Sequence, residues 1–264
     1  MRSPQRLVFG EVAERYDRSR PTYPDALIDD LLRRAPLTPG VRALEVGAGT
    51  GKATRLLAAR GVSVLAIEPS PEMAAINRRA ARPGTEIVES DFESFDPGGE
   101  RFGLVYAAQS WHWVDQRVGY ERARAALVDG GLLAVFWNRP GWTDSPVRRA
   151  ISRAYRAHAP SLDRENPSHP DSRDGRRYAT WDDDAAAAAG LEPLPDRTDA
   201  WELHYGAREY ADLISTHSEI VMLDPGAREP LLDAVAAAIE GCGGRLTMPV
   251  RTRCRLARAV GEPG

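Results

Sequence analysis

The stretch that most constrains this chain is Leu44-Glu45-Val46-Gly47-Ala48-Gly49-Thr50-Gly51-Lys52-Ala53-Thr54. Val41 to Val46 is a short apolar run and reads as a strand; Thr54 to Arg60 reads as a helix that Gly61 can cap. Between them the alternating glycines permit a sharp turn and let backbone N–H groups approach a ligand with no Cβ in the way. The helix N-terminus adds partial positive charge to the same turn.

The pattern then repeats. Val62 to Ile67 is a second strand. Ser70-Pro71 is a good helix start, with Ser as N-cap and Pro in the first turn, and that helix runs to Arg82 before Pro83-Gly84 stops it. Thr85 to Glu89 and, after the turn at Pro97-Gly98-Gly99, Phe102 to Ala107 are strands three and four. A helix around Gln116 to Val128 ends at Asp129-Gly130-Gly131, and Leu132 to Trp137 is strand five. The order β-α-β-α-β-β-α-β, with near-continuous apolar strands, is the signature of a parallel sheet covered on both faces.

The flanks are less regular. Residues 1–24 are polar and aromatic, and Leu27, Ile28, Leu31 and Leu32 then form a helical face. Residues 140–180 are rich in Arg, Asp, Ser and Pro, with one helical piece near Pro146 to Ala157, and read as an insertion over the sheet. Beyond it the spacing predicts a helix before Gly190, a strand near Ala200 to Tyr205, helices at 207–222 and 227–240, and a strand at 246–256. In that last strand Met248, Val250, Thr252, Cys254 and Leu256 alternate with arginines, which puts Cys254 on the buried face. A chain of 264 residues buries a sizeable core without a staple, so 1–264 is expected to be a single α/β domain.

Charge and composition exclude several functions. The net charge is −3, against the basic footprint that nucleic acid or an anionic membrane surface requires. Apolar runs of six residues, such as Leu132 to Trp137, are far short of the ~20 a membrane-spanning helix needs. Leu7-Val8-Phe9 before Glu11 is no secretory h-region, and the expected compartment is the cytoplasm. Cys242 and Cys254 are not a disulfide framework, and no Cys/His spacing suggests a metal. Of 35 cationic residues only Lys52 is a lysine, so arginine clusters reflect a drift of the whole chain.

Lys52 helps to decide what the glycine turn binds. A phosphate-binding P-loop would need Gly at 46 and Ser or Thr at 53, where the chain has Val46 and Ala53. A dinucleotide loop, Gly-x-Gly-x-x-Gly, would need Gly at 52. What remains is Glu-x-Gly-x-Gly-x-Gly from Glu45 to Gly51, which resembles the first motif of class I S-adenosylmethionine-dependent methyltransferases. Glu68 ends strand two, 17 residues after Gly51, where this resemblance implies an acid accepting both ribose hydroxyls. Asp91-Phe92 follows strand three, where the family places an acid for the adenine amino group and a residue beside the ring. Gly130-Gly131-Leu132-Leu133 before strand five is the usual turn there.

The resemblance narrows to the type 11 methyltransferases similar to trans-aconitate methyltransferase. It rests on Phe9-Gly10-x-x-Ala13-x-x-Tyr16-Asp17-x-x-Arg20-Pro21-x-Tyr23-Pro24 and on Gln109-Ser110-Trp111-His112-Trp113-Val114-Asp115. It rests also on Thr216-His217-Ser218 in a helix and Gly243-Gly244-Arg245 before the final strand. It implies a Rossmann-like, doubly wound sheet of seven strands in order 3-2-1-4-5-7-6, the last antiparallel, with residues 1–24 as a lid and 140–180 on the substrate side. It implies S-adenosyl-L-methionine as cofactor, S-adenosyl-L-homocysteine as product, and no metal. The implied cofactor set is Tyr16, Arg20, Glu45, Gly47, Gly49, Glu68, Pro69, Met73, Asp91, Phe92 and Gln109. Arg20 in that set would pair the methionyl carboxylate.

Trp111-His112-Trp113 follows strand four and Trp137-Asn138 ends strand five, so both face the crevice at the strands' carboxyl ends. With Tyr23, the residues Trp111, Trp113, Trp137 and Asn138 are the expected substrate contacts. His112 is either a general base or a histidine packed between tryptophans, and a carboxylate acceptor would need no base. Arg148, Arg149, Arg153 and Arg156, with Arg176 and Arg177, could bind an anion or form a solvated face. The expected activity is methyl transfer to a small molecule, in secondary metabolism, by a monomer or homodimer with no nucleic-acid or membrane partner. Esterification of a small carboxylic acid and a non-methylating, cofactor-binding cyclase are the alternatives.

Overall fold

The computed structural model describes residues 13–162, 164, 169–172 and 181–261. Phe9, Gly10, Arg176 and Arg177 lie outside the described residues. The strands are β1 (Ala43–Val46), β2 (Val64–Ile67), β3 (Thr85–Val88), β4 (Phe102–Ala108), β5 (Leu127–Pro140), β6 (Leu191–Gly206) and β7 (Arg245–Ala259). They form one sheet in the order β3-β2-β1-β4-β5-β7-β6, with the last strands antiparallel. The helices are α1 (Ala13–Ser19), α2 (Asp25–Arg34), α3 (Lys52–Ala58), α4 (Pro71–Arg79), α5 (Gln116–Ala126), α6 (Pro146–His158), α7 (Asp183–Ala188), α8 (Ala207–Ile214), α9 (Ser218–Val221) and α10 (Pro225–Glu240).

The described residues gather into two compact units. Residues 22–138, 181–199 and 252–261 make a sheet unit; residues 13–21, 139–162, 164, 169–172 and 200–251 make a helical unit. In the sheet unit β1, β2, β3 and β4 pair in parallel, with Glu45 opposite Ala66 on one side and Tyr106 on the other. Successive side chains point to opposite faces. Leu44, Val46, Leu65, Ile67, Val105 and Ala107 therefore enter one core and Ala43, Val64, Ala66, Leu104 and Tyr106 the other. Tyr120 and Ala123 of α5 cover the first; Leu27, Ile28 and Leu31 of α2 cover the second. Both faces being covered is why these strands read as continuous apolar runs. In the helical unit α6, α8 and α10 pack around Ile151, Tyr155, Tyr210, Leu231, Val235 and Ile239.

Ser70 caps α4 as its sequence suggests, accepting from Met73 N at 3.3 Å, with Pro71 in the first turn. Cys254 is fully buried, and burial pushes its thiol up. Three boundaries differ from the sequence reading. Asp129-Gly130-Gly131 lies inside β5: the chain is already extended at Leu127, which pairs with Phe102, and a register shift follows. The triplet is a bulge in a strand, a place glycine suits. β6 begins nine residues before Ala200, at Leu191, although Pro193 and Pro195 lie within it. It is an edge strand, where a missing N–H has no ladder partner to lose. The helix expected over 207–222 breaks at Ser215-Thr216-His217. There Ser215 Oγ donates to Asp212 O and Thr216 Oγ1 to Leu213 O, at 2.8 and 2.6 Å, and such side-chain bonds compete with helical ones. Thr216-His217 thus occupies a break, with Ser218 opening α9, rather than the body of a helix. Of the α6 arginines, Arg149, Arg153 and Arg156 are exposed, as a solvated face would have them, and Arg148 is half-buried. Arg156 donates to Asp171 Oδ2 at 3.0 Å, Arg148 to Pro170 O at 2.8 Å, and Arg149 pairs with Asp144 at 2.7 Å.

No described helix is long and apolar enough to cross a membrane, and no cluster among the described residues could hold a metal ion.

Candidate functional site

β1 lies between β2 and β4, so the strand order reverses at β1, and ligands of doubly wound sheets bind at the carboxyl ends of the strands beside such a switch point. The glycine turn leaves β1 there. Ala48 N donates to Ile67 O of β2 at 2.9 Å, and Gly49 N donates to Glu68 Oε2 at 2.7 Å. Glu68 Oε1 accepts from Ser70 N at 2.8 Å. One carboxylate, almost buried, thus ties the turn after β1 to the turn after β2. Gly49, at φ +57°, has nothing within 4 Å of where a Cβ would stand, so its backbone is open to close approach. Pro69 is half-buried beside Glu68, and Met73 is buried in the first turn of α4.

Below the turn lies a second carboxylate. Glu45, on β1, is buried; its Oε2 accepts from Thr54 Oγ1 of α3 and, at 2.7 Å, from the Tyr106 hydroxyl of β4. Asn77 Nδ2 of α4 donates to Thr54 Oγ1 at 3.3 Å. Glu45 is therefore the anchor of the turn, binding β1 to α3 and β4. Burial pushes its carboxyl up to about 7, against the opposing pull of the two hydroxyls. Its unfolded value is 4.5, so folding takes up a proton between these limits, and stability present below pH 4.5 is lost as pH rises through 7. Glu45→Gln keeps the acceptor and mimics the protonated form. It is expected to exceed the wild type by about 3 kcal/mol at pH 8, the gap closing towards pH 4.5 in urea titrations. A pH-independent gap would assign the cost to another group.

The end of β4 carries a strained residue. Gln109 has φ +64°, alone among the described non-glycine residues. Its N–H donates to Phe136 O at 2.9 Å and its Nε2 to Asn138 O at 3.4 Å, so β5 holds it in place. Strain of this kind persists where the surroundings over-determine it, and it collects at functional sites. Ser110 then seats against Gly47 and donates to Val46 O. A short 3₁₀ turn, Trp111–Trp113, follows.

The aromatic residues expected at the substrate side take different places. Trp111 is fully buried, its ring 6.2 Å from Phe92 and 5.5 Å from Tyr120, so it packs in the core behind this edge. His112 and Trp113 are half-buried with ring centroids 4.6 Å apart. Trp137 is buried. Asn138 is engaged on both sides, donating to Thr22 O at 2.9 Å and accepting from Thr252 Oγ1 at 2.7 Å. Tyr23 is buried edge-on to Phe136 at 4.9 Å. Asp91 is half-buried in the turn after β3, where Phe95 N donates to its main-chain oxygen at 3.0 Å, and Phe92 is buried beside it.

In the helical unit Arg20 donates from Nε to Thr216 Oγ1 at 2.9 Å and from Nη2 to Thr216 O at 3.0 Å. Its guanidinium lies 4.9 Å from the Tyr16 ring centroid. Two separated pieces of the resemblance, Tyr16 to Arg20 and Thr216-His217, thus meet. Thr54, Asn77 and Tyr106 escaped the sequence reading. Thr54 and Tyr106 bond Glu45 from 9 and 61 residues away and Asn77 bonds Thr54 from 23, with no motif linking them.

Residues 43–131 match the family model described as a methyltransferase domain, and the glycine turn on a sheet of this order is similar to that of the class I S-adenosylmethionine-dependent methyltransferases. The chain is 39% identical over 140 residues to an uncharacterized methyltransferase of Mycobacterium bovis, covering 52% of this chain and 56% of that one. It is 34% identical over 154 residues to a trans-aconitate 2-methyltransferase of Paracidovorax citrulli, covering 56% and 54%. The chain thus spans about half the length of the curated relatives it matches. A candidate type II methyltransferase of Anaeromyxobacter dehalogenans superposes with a TM-score of 0.65 over 91% of this chain and 97% of that one; at 19% identity it shows the fold alone.

Proposed function

We propose that this chain binds S-adenosylmethionine and transfers its methyl group to a small-molecule acceptor, in secondary metabolism. The observation that carries this reading is the Glu68 carboxylate, fixed by Gly49 N–H and Ser70 N–H at the switch point, with Gly49 open beside it. A carboxylate presented in this way suits two vicinal hydroxyls, and the uncrowded turn suits the close approach of a nucleoside's amino-acid arm. The donor set therefore fits the cofactor. When bound, the cofactor supplies a methyl group on a sulfonium that is already a good leaving group.

The chain's residues then have limited work: to hold the acceptor in line, to keep water away, and to accept a proton where the acceptor must lose one. Positioning of this kind supplies several kcal/mol. Asp91 would accept from the adenine amino group, with Phe92 beside the ring. His112, half-buried at the end of β4, is the proposed base. His112→Ala should lower kcat about 100-fold and remove the acidic limb of the pH profile. An unchanged rate and profile would leave His112 a packing role. The cofactor reading is tested by thermal shift: S-adenosylmethionine and S-adenosylhomocysteine should stabilise the chain and NAD should not.

A further inference from the structure

His112 and Trp113 stand at the apex of a tight turn, and the sheet unit clamps that turn from two sides. Two bonds shape it, Trp113 N donating to Ser110 O at 2.9 Å and Val114 N to Trp111 O at 3.1 Å. A 3₁₀ turn this short has poor hydrogen-bond geometry and depends on what surrounds it. Its ends, Trp111 and Val114, are buried, while His112 and Trp113 between them are half-buried. From α5, Gln116 Nε2 donates to Trp111 O at 3.3 Å and to Val114 O at 3.2 Å, so one amide spans the turn. A Cβ on Gly119 of the same helix would stand 2.7 Å from Val114 Cγ1 and 3.4 Å from the Trp111 ring, so the glycine lets α5 lie this close.

The second side is the turn after β3. Asp115 N donates to Glu93 Oε1 at 3.0 Å, and a carboxylate acceptor strengthens such a bond. Phe92 and Trp111 meet at 6.2 Å between ring centroids, and Arg122 Nη1 of α5 donates to Phe95 O at 2.9 Å. The turn after β3 is itself closed on Asp91, whose main-chain oxygen accepts from Phe95 N at 3.0 Å and from Ser94 N at 3.3 Å. Residues 91–95, residues 110–115 and α5 are therefore held as one block. We propose that Gln116 and Glu93 are positioning residues for the acceptor side of the site. Gln116 fixes the turn that presents His112 and Trp113. Glu93 locks that turn to residues 91–95, so that His112 is placed from the adenine end of the cofactor. This rests on the proposed function, which puts the adenine at Asp91 and Phe92 and the base at His112. Both residues act through main-chain groups of the turn rather than on the reacting atoms.

Amide hydrogen exchange of the full chain, resolved by NMR, tests this with S-adenosylhomocysteine as the ligand. In the free chain Gln116→Ala and Glu93→Ala should each speed exchange at the Trp113 and Val114 N–H groups roughly tenfold, as the loss of a hydrogen bond predicts, with the amides of β1 and β4 unchanged. Glu93→Gln keeps an oxygen acceptor and should restore the wild-type rate. Saturating S-adenosylhomocysteine should slow the same two N–H groups further in wild type and in Glu93→Gln, and not in Glu93→Ala. Unchanged exchange at Trp113 and Val114 in either alanine variant would overturn that residue's part. So would faster exchange throughout the sheet, which marks a merely structural role. Equal slowing by the ligand in Glu93→Ala and wild type, or no restoration by Glu93→Gln, would refute the lock. A wild-type chain that fails to bind S-adenosylhomocysteine would refute the proposed function instead, and the free-chain rates would still decide whether Gln116 and Glu93 hold the turn.

Discussion

Replacing Glu68 with alanine should abolish S-adenosylmethionine binding, a loss of about 1000-fold or more, or roughly 4 kcal/mol. Two effects combine. A hydrogen bond to a charged group contributes about 1.5–3 kcal/mol, and the ribose offers two hydroxyls to this carboxylate. The same carboxylate also accepts from Gly49 N and Ser70 N, at 2.7 and 2.8 Å, so its removal loosens the turn that the cofactor must approach. Glu68→Gln is the informative companion. It keeps one oxygen but turns an amide NH₂ towards a backbone N–H, and it should bind weakly rather than not at all. In thermal shift, wild type at a hundred times Kd should gain about 2.7 kcal/mol and Glu68→Ala nothing. Full affinity in the alanine variant would contradict the ribose role; stabilisation by NAD alone would sink the cofactor assignment itself.

Glu68 was legible because it combines two local signals, the end of an apolar run and a fixed spacing from the glycines. The doubly wound sheet was legible for the same reason: a strand covered on both faces announces itself as Val64-Leu65-Ala66-Ile67. Features set by long-range contacts were not. Nothing around Tyr106 says that its hydroxyl reaches Glu45, since on β4 it reads as one more apolar strand residue. β6 was misjudged at its start because Pro193 and Pro195 argue against a strand unless the strand is known to be at an edge. The break at Ser215-Thr216 depends on hydroxyls folding back to carbonyls three residues earlier, a choice that apolar periodicity does not register. The aromatic mouth shows the same limit. Trp111 and Trp113 are equivalent in the sequence, yet one is core and the other half-exposed, because a 3₁₀ turn separates their directions.

Gly49 and Gly51 stand two residues apart in one turn, and substituting each by alanine should separate ligand binding from folding. Both have positive φ, +57° and +86°, so an alanine at either costs about 1–2 kcal/mol in the backbone. Their surroundings differ. A Cβ on Gly51 would stand 2.0 Å from Asn77 Oδ1 and 2.4 Å from its Cγ, and Asn77 is fully buried. Displacing Asn77 also disturbs its bond to Thr54, the residue that donates to Glu45. Overpacking of this kind adds about 1–3 kcal/mol, which brings Gly51→Ala to about 4 kcal/mol of destabilisation. A Cβ on Gly49 meets nothing within 4 Å, so Gly49→Ala should lose only the backbone share. Its methyl group, however, stands on the open side of the turn, and cofactor affinity should fall by tenfold or more. Urea midpoints and calorimetric Kd values on the two variants check both halves. If Gly51→Ala were as stable as Gly49→Ala, the network of Asn77, Thr54 and Glu45 would not be what holds the turn. If Gly49→Ala bound S-adenosylhomocysteine as wild type does, the cofactor would not approach the turn from that side.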